Sequence, residues 1–436
     1  MAWFLMKFLY ADTQDYIDPD YDFIQDSSKP ERRPYWDDQY AHEMIQPAPY
    51  DGLLLSMSAI RHAKGVAASK VRYSTSAQQR LLREGVRRFV RMEGEAFRHA
   101  MLMGDCGAFA YVDQPQPAYT PQEVFEFYAQ AGFTHGCSPD HIIFEYDSSN
   151  PHRDSQSEDV RYRYDITLSN ARDFLHLTAQ ANRPFEPLGA VQGWSPQSMA
   201  EAAATLEQMG YRYLAIGGLV PLKVEQIHEV LTAIRAAIRP ETNIHLLGFA
   251  KAESIHEFLN YQITSFDSTS PLIRAFKDAK ANYYMPTDDT GLAYYTAIRI
   301  PQAIENPKLL QGIKKGTLSA EQLLQLEKNA LAQLRAYDQH RADLSTARQA
   351  VLDYLATGLL GGKDDADQAK KIQKALHLIE PTLRVKPWQY CPCPICRAVG
   401  VEVIIFRGAN RNKRRGFHNL WVYYTHLQRI LGTATP

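Results

Sequence analysis

The feature that most limits what this chain can fold into is a repeated alternation of short apolar runs with amphipathic segments. The runs are GLLLSMSAI (52–60), AMLMGDCGAFAYV (100–112), HIIFEYD (141–147), PLGAVQG (187–193), YLAIGGLV (213–220), NIHLLGFA (243–250) and ITSFDST (263–269). Between them lie PQEVFEFYAQAGF (121–133), SPQSMAEAAATLEQMGY (195–211) and VEQIHEVLTAIRAAIR (224–239), whose apolar residues recur at helical spacing. Strand, helix, strand at this spacing describes a parallel sheet. The opening stretch MAWFLMKFLYADTQDY adds a strand, because Lys7 and Asp12 interrupt it before a secretory h-region could form. Seven or eight strands with no GxGxxG after the first favour an α/β chain closed as a (β/α)8 TIM barrel over an open doubly wound sheet.

A barrel also predicts where chemistry sits, since its active site is built from the C-terminal ends of the strands. Those ends carry Asp105, Asp147, Gln192, the Gly217–Gly218 pair and Asp267. One aspartate after a strand is more often a helix cap or a turn residue; several together shift the reading toward a site.

The rest of the chain has another texture. Residues 12–48 are rich in Asp, Pro, Tyr and Gln and read as an irregular arm lying on the main body. Residues 320–360 and 370–380 are helical, and their leucine spacing is that of a packing face. The expected division is an N-terminal strand and arm (1–48), the barrel (49–285), an inserted helical subdomain (286–382) and a C-terminal module (383–436). Met6 is a plausible alternative start, which would make residues 1–5 dispensable.

A net charge of −1 over 436 residues excludes a general affinity for polyanions, so nucleic acid would have to be met by local basic patches. No window has the apolar length of a membrane span, and the chain reads as cytoplasmic. Thiols stay reduced there, so CPCPIC (391–396), with three of the five cysteines, reads as a metal site rather than a disulfide. Cys391, Cys393 and Cys396 need a fourth ligand, for which His418 and His426 are at hand. A Cys3His site closes the coordination sphere, so the ion, Zn2+, would be structural and would clamp the last helix to the barrel. Between cluster and histidine, RGANRNKRRGFH (407–418) brings Arg407, Arg411, Lys413, Arg414 and Arg415, which suit a solvated loop and a phosphate-tracking surface equally well.

Cys391, Cys393, Cys396 and His418 resemble the Cys-x-Cys-x-x-Cys…His motif of the tRNA-guanine transglycosylases, zinc-bearing (β/α)8 barrels that exchange guanine for a 7-deazaguanine. Further motifs fall in that family's order. GDCGAF (104–109) is similar to its DSGGF, which makes Asp105 the counterpart of the acid/base aspartate. FEYD (144–147) resembles its AFDE region, with Asp147 as the base-edge ligand and Glu145 as the competing register. VQGW (191–194) resembles VQGG, which implies a base contact for Gln192, and AIGGLV (215–220) resembles AIGGLAV, which implies that Gly217, Gly218 and Leu219 line the base pocket. LLGFAK (246–251) corresponds to LMGVGK, and SFDSTSP (265–271) is similar to MFDCVLPT, with Asp267 as the nucleophile. The resemblance covers residues 50–280 and 385–431.

In the tRNA enzymes a short RSGRNG loop follows the nucleophile; this chain has LIRAFKDAK and a long insertion. KFLYADTQDYIDPDYDF (7–23) and YYTAIRIPQ (294–302) are similar to the DNA-modifying branch of bacteria and phages, which places 7-deazaguanines such as preQ0 in DNA. The resemblance thus implies DNA and a preQ0-like base as partners, with a homodimer or an accessory protein also in view. Arg274, Lys277 and Lys280 would hold flanking phosphates, and Tyr111 or Phe109 would stack on the base. The alternatives are an enzyme acting on tRNA, a non-catalytic nucleic-acid-binding partner subunit, and an unrelated zinc-stabilised barrel hydrolase.

Overall fold

A computed structural model of the chain describes residues 6–62, 67, 71–249, 251–287, 291–358 and 365–432. The proposed dispensability of residues 1–5 concerns a segment outside those residues. Eight parallel strands close into a barrel in chain order: β1 Lys7–Ala11, β2 Gly52–Ser56, β3 Met101–Asp105, β4 His135–Cys137, β5 Glu186–Val191, β6 Tyr213–Ile216, β7 Asn243–Leu246 and β8 Ser265–Ser268. Closure runs through β1, which aligns Leu9 with Gly52 of β2 and Lys7 with Ser265 of β8. The fold is the expected (β/α)8 barrel with a helical region and a Cys3His group.

The strands are apolar almost throughout because both of their faces are covered, as in any all-parallel sheet. Leu9, Leu54, Met101, Met103, Cys137, Leu188, Tyr213 and Ala215 form one buried cluster. The helices that follow the strands are cut out by local signals. Helix α1 spans Thr75–Glu84 and α2 spans Pro121–Ala131. In α2, Thr120 accepts from the Glu123 amide while the Glu123 carboxylate accepts from the Thr120 amide, Pro121 opens the first turn, and Gly132 ends the helix in the left-handed region. Helix α3 spans Glu158–Gln180, and α4, Pro196–Met209, uses Ser195 as its cap and Gly210 as its stop. Helix α5 spans Val224–Ala237.

One strand lies elsewhere than the sequence suggested. HIIFEYD (141–147) is not a stave of the barrel; the stave is the short His135–Cys137, and residues 138–150 form an irregular connection. The apolar run is that of a loop folded over the barrel end, with Ile142 and Ile143 buried and Phe144 at 40% exposure.

Contacts group the chain into two compact units where composition suggested four segments: residues 1–14 with 50–270, and 15–49 with 271–436. The second unit contains helix α6 (Ser270–Lys277, but for its first residue), the antiparallel hairpin β9 Tyr283–Pro286 and β10 Leu292–Tyr295, and helices α7 Ala320–Asp338, α8 Leu344–Gly358, α9 Asp365–Val385 and α10 Gly408–Ile430. Residues 408–418, which suited a solvated loop and a phosphate-tracking surface equally, are the start of α10 with Arg407 as its cap, and their arginines turn inward. Arg407 pairs with Asp26 and Glu327; Arg411 pairs with Asp26 and Glu402 and donates to the Phe23 carbonyl. Buried guanidiniums of this kind persist because carboxylates and carbonyls satisfy their fixed fork of donors. The irregular segment 15–49 is thereby tied to the C-terminal helix.

Among the described residues no helix is long and apolar enough to cross a membrane.

Candidate active site

The C-terminal ends of the strands surround a cavity of about 230 Å³. Asp105 from the end of β3, Asp140 from beyond β4, Gln192 just past β5, Gly217 and Gly218 just past β6, and Asp267 of β8 all line it. Asp267 is 4% exposed, and its Oδ1 accepts from the Gly248 amide at 2.8 Å and lies 3.1 Å from His245 Nε2. Asp105 is bound by the Gly107 amide and the Ser56 hydroxyl, yet burial, with Asp140 and Asp267 adding like charge, raises its carboxyl from an ordinary 3.8 to about 8. It is therefore protonated at neutral pH. The turn that holds it needs glycine: at Gly107 φ is +80° and a β-carbon would sit 1.9 Å from Ser58 Oγ.

Asp140, 4% exposed, receives Gln192 Nε2 on Oδ2 at 2.6 Å and the Cys106 thiol on Oδ1 at 3.2 Å; burial raises its carboxyl also. The Gln192 side-chain oxygen accepts from the Ile143 amide at 3.3 Å, so the amide is oriented at both ends. Gly217 makes room for it, since a β-carbon there would meet Gln192 Nε2 at 2.3 Å.

The structure brings Asp105, Gln192, Gly217, Gly218 and Asp267 together and leaves out others. Asp147 is exposed and takes the Ser149 amide and hydroxyl at 2.9 and 2.6 Å, a local turn that lowers its carboxyl pKa, and it does not line the cavity. Glu145 is exposed and does not line it either. The carboxylate from this region that does line the cavity is Asp140; its signal was the polar SPD just after the three-residue β4, masked by the stronger apolar run after it. Leu219 is 1% exposed and does not line the cavity. Tyr111 is fully buried, its hydroxyl donating to Cys106 Sγ at 3.0 Å and to the Asp140 carbonyl at 3.2 Å, whereas Phe109 lines the cavity at 53% exposure with its ring 5.7 Å from that of Phe144.

The phosphate-tracking alternative for residues 407–418 is not met either, because its arginines are buried. Arg411, Arg414 and Arg415 are at most 2% exposed, and Arg414 and Arg415 donate to main-chain carbonyls of Asp18, Pro19, Ala275, Val403 and Ile405. Lys413 is half-buried with Nζ 3.3 Å from Asp15. Lys277 and Lys280 are exposed and Arg274 is half-buried, all in the second unit.

In that unit Cys391, Cys393, Cys396 and His418 are buried with their ligand atoms all within 4.8 Å of one another. His418 Nδ1 lies 3.5, 3.3 and 3.3 Å from the three sulfurs, while Nε2 lies 2.8 Å from the Tyr284 carbonyl. A carbonyl can only accept, so Nε2 carries the proton and Nδ1 presents its lone pair to the thiols. Tyr283 stacks on the imidazole at 4.0 Å. Four donors so gathered fit a metal ion and leave no open position on it. His426 is buried but outside the group.

A parallel (β/α)8 barrel with carboxyl groups gathered in one cavity at its strand ends is the framework of an enzyme. Compared with known proteins, the chain is 40% identical over 429 residues, 98% of its length and 97% of the relative's, to a DNA-guanine transglycosylase of Salmonella montevideo. The chain therefore belongs to the guanine transglycosylases and is a glycosyltransferase of the pentosyl-transferring kind. No family model matches it.

Proposed function

We propose that this protein exchanges guanine in DNA for a 7-deazaguanine base, preQ0 or a close relative, by two displacements at C1′ of the target deoxyguanosine. The observation that carries the reading is the convergence of Asp105, Asp140, Gln192 and Asp267 on one cavity. In the first displacement a carboxylate oxygen of Asp267 bonds to C1′ as the C1′–N9 bond breaks, and the proton of Asp105 goes to the departing guanine. In the second, Asp105, now ionised, takes the N9 proton of the incoming base; N9 bonds to C1′ and Asp267 leaves as a carboxylate. Two displacements retain the configuration of the sugar, the logic of paired carboxyls in retaining glycosidases. A carboxyl that keeps its proton up to about pH 8 suits the first step at neutral pH.

Asp140 and Gln192 read the amide and amino edge of the purine, and the main chain at Gly217 and Gly218 lets the ring approach. Phe109 offers a stacking face. The target must leave the duplex, at a cost of a few kcal/mol offset by stacking and edge contacts. Lys277, Lys280 and Arg274 hold neighbouring phosphates. The Cys3His group holds zinc: its sulfur-to-nitrogen distances of 3.3–3.5 Å match the edges of about 3.5 Å expected in a tetrahedral thiolate and imidazole site. The ion secures this unit and takes no part in the exchange.

DNA as the polymer is supported by the name of the Salmonella relative and by the likeness of residues 7–23 and 294–302 to the DNA-modifying branch. The reaction belongs in the cytoplasm of a bacterium or a phage-infected cell, alone, as a homodimer or with a helper protein that opens the duplex. The test is incubation with preQ0 and either duplex DNA or unmodified tRNA, followed by digestion and mass spectrometry of the nucleosides. Deazaguanine in DNA alone, lost in Asp267→Ala, is the expected result. Incorporation into tRNA alone overturns the choice of polymer.

A further inference from the structure

His245 is fully buried on β7, and the exchange as written gives it no part. Its Nε2 lies 3.1 Å from Asp267 Oδ1, its Nδ1 lies 2.6 Å from Ser265 Oγ, and that oxygen lies 2.6 Å from the hydroxyl of Tyr213. The proton positions follow from the chemistry of the ends. An ionised carboxylate can only accept, so Nε2 carries the imidazole proton. In the neutral ring Nδ1 is then an acceptor, the Ser265 hydroxyl donates to it, and the Tyr213 hydroxyl donates to Ser265. Burial pushes the Tyr213 phenol above its ordinary value, which keeps it a donor.

We propose that His245 is the positioning residue of the nucleophile, locked in one tautomer by Ser265 and Tyr213 so that it fixes Oδ1 of Asp267 and leaves Oδ2 to form the bond to C1′. This rests on the reading of Asp267 as the nucleophile. As the Oδ2–C1′ bond forms and the C1′–N9 bond breaks, the charge of the carboxylate is lost to the ester, whose carbonyl oxygen is Oδ1. Nε2–H and the Gly248 amide hold that oxygen throughout. When the second base expels Asp267 the electron pair returns to the carboxylate, where the same two donors stabilise it. No proton moves along Tyr213, Ser265 and His245; their part is geometric. An imidazole aimed at the proposed nucleophile thus reports on the chemistry of this chain from inside the barrel, away from the cavity lining.

Glutamine and asparagine separate the two nitrogens of histidine, since the glutamine amide nitrogen overlays Nε2 and the asparagine nitrogen overlays Nδ1. His245→Gln keeps the donor to Asp267, and His245→Asn removes it. We expect His245→Asn to lower kcat for preQ0 incorporation into duplex DNA by about tenfold to a hundredfold with KM for the base unchanged, and His245→Gln to stay within about threefold of the parent. Thermal unfolding of both variants is followed alongside. Equal activity of the two, whether retained or lost, overturns the positioning role. Should His245→Asn fail to fold, Ser265→Ala frees Nδ1 and is expected to lower kcat at constant KM; an unchanged kcat there overturns the proposal. Asp267→Ala is run in parallel: if exchange survives in it, the nucleophile itself is misassigned, an outcome distinct from failure of the positioning role alone.

Discussion

Gln192 donates from Nε2 to Oδ2 of Asp140 at 2.6 Å, so the amide that closes β5 orients a carboxylate standing beyond the end of β4. With the Cys106 thiol on the other oxygen, Asp140 is a held group, while Asp147 turns back on its own loop. The consequences can be measured.

Replacing Asp140 by alanine strands the Gln192 amide and the Cys106 thiol. A buried polar group left unpaired costs about 1–3 kcal/mol, so Asp140→Ala should raise KM for the incoming base and cut kcat/KM by about tenfold or more. Asp147→Ala should change either by less than about threefold. Steady-state kinetics on the two variants decides between the carboxylates.

Asp105 gives the exchange a pH limb. In the proposed exchange the first displacement uses its proton, so kcat/KM for the nucleic-acid target should fall as pH rises through about 8. Asp105→Asn should lower the exchange rate by about 10²- to 10⁴-fold at pH 7 and abolish the limb.

The same group bears on stability. Its carboxyl holds the proton more tightly in the folded chain than at the ordinary 3.8, so the folded state binds more protons between those values. Its contribution is fully present below about pH 4 and is lost as pH rises toward 8. Thermal unfolding of Asp105→Asn should therefore decline less over pH 5–8 than that of the parent.

Removal of the zinc proposed for the Cys3His group should act on the fold of the second unit. Thiolate ligands contribute their binding free energy to folding, so a strong chelator, or Cys393→Ser, should release about one zinc per chain by elemental analysis and lower Tm.

The two sets of cations should separate. Arg411→Ala leaves Asp26 and Glu402 short of a buried partner, which costs about 3–5 kcal/mol of stability, with little change in the salt dependence of DNA binding. Lys277→Ala and Lys280→Ala should each reduce the slope of log K against log salt by about 1 and leave Tm unchanged. Salt titrations of binding beside unfolding curves distinguish them.

The sequence by itself determined the barrel, because a strand buried on both faces must be apolar and a helix laid over it must be amphipathic, and both patterns are local. It fixed helix ends such as Thr120 to Gly132 for the same reason, and its three cysteines at one-ion spacing marked the Cys3His group. Tertiary structure alone decided which carboxylates meet. Asp140 enters the cavity and Asp147 does not because β4 stops at Cys137, and a strand's length is set by its neighbours' register rather than by its own hydrophobicity. It also decided the fate of the arginines of 407–415. Two of their partners, Asp26 and Glu327, lie far off in the chain, and a charge run looks the same in sequence whether water or a buried carboxylate receives it.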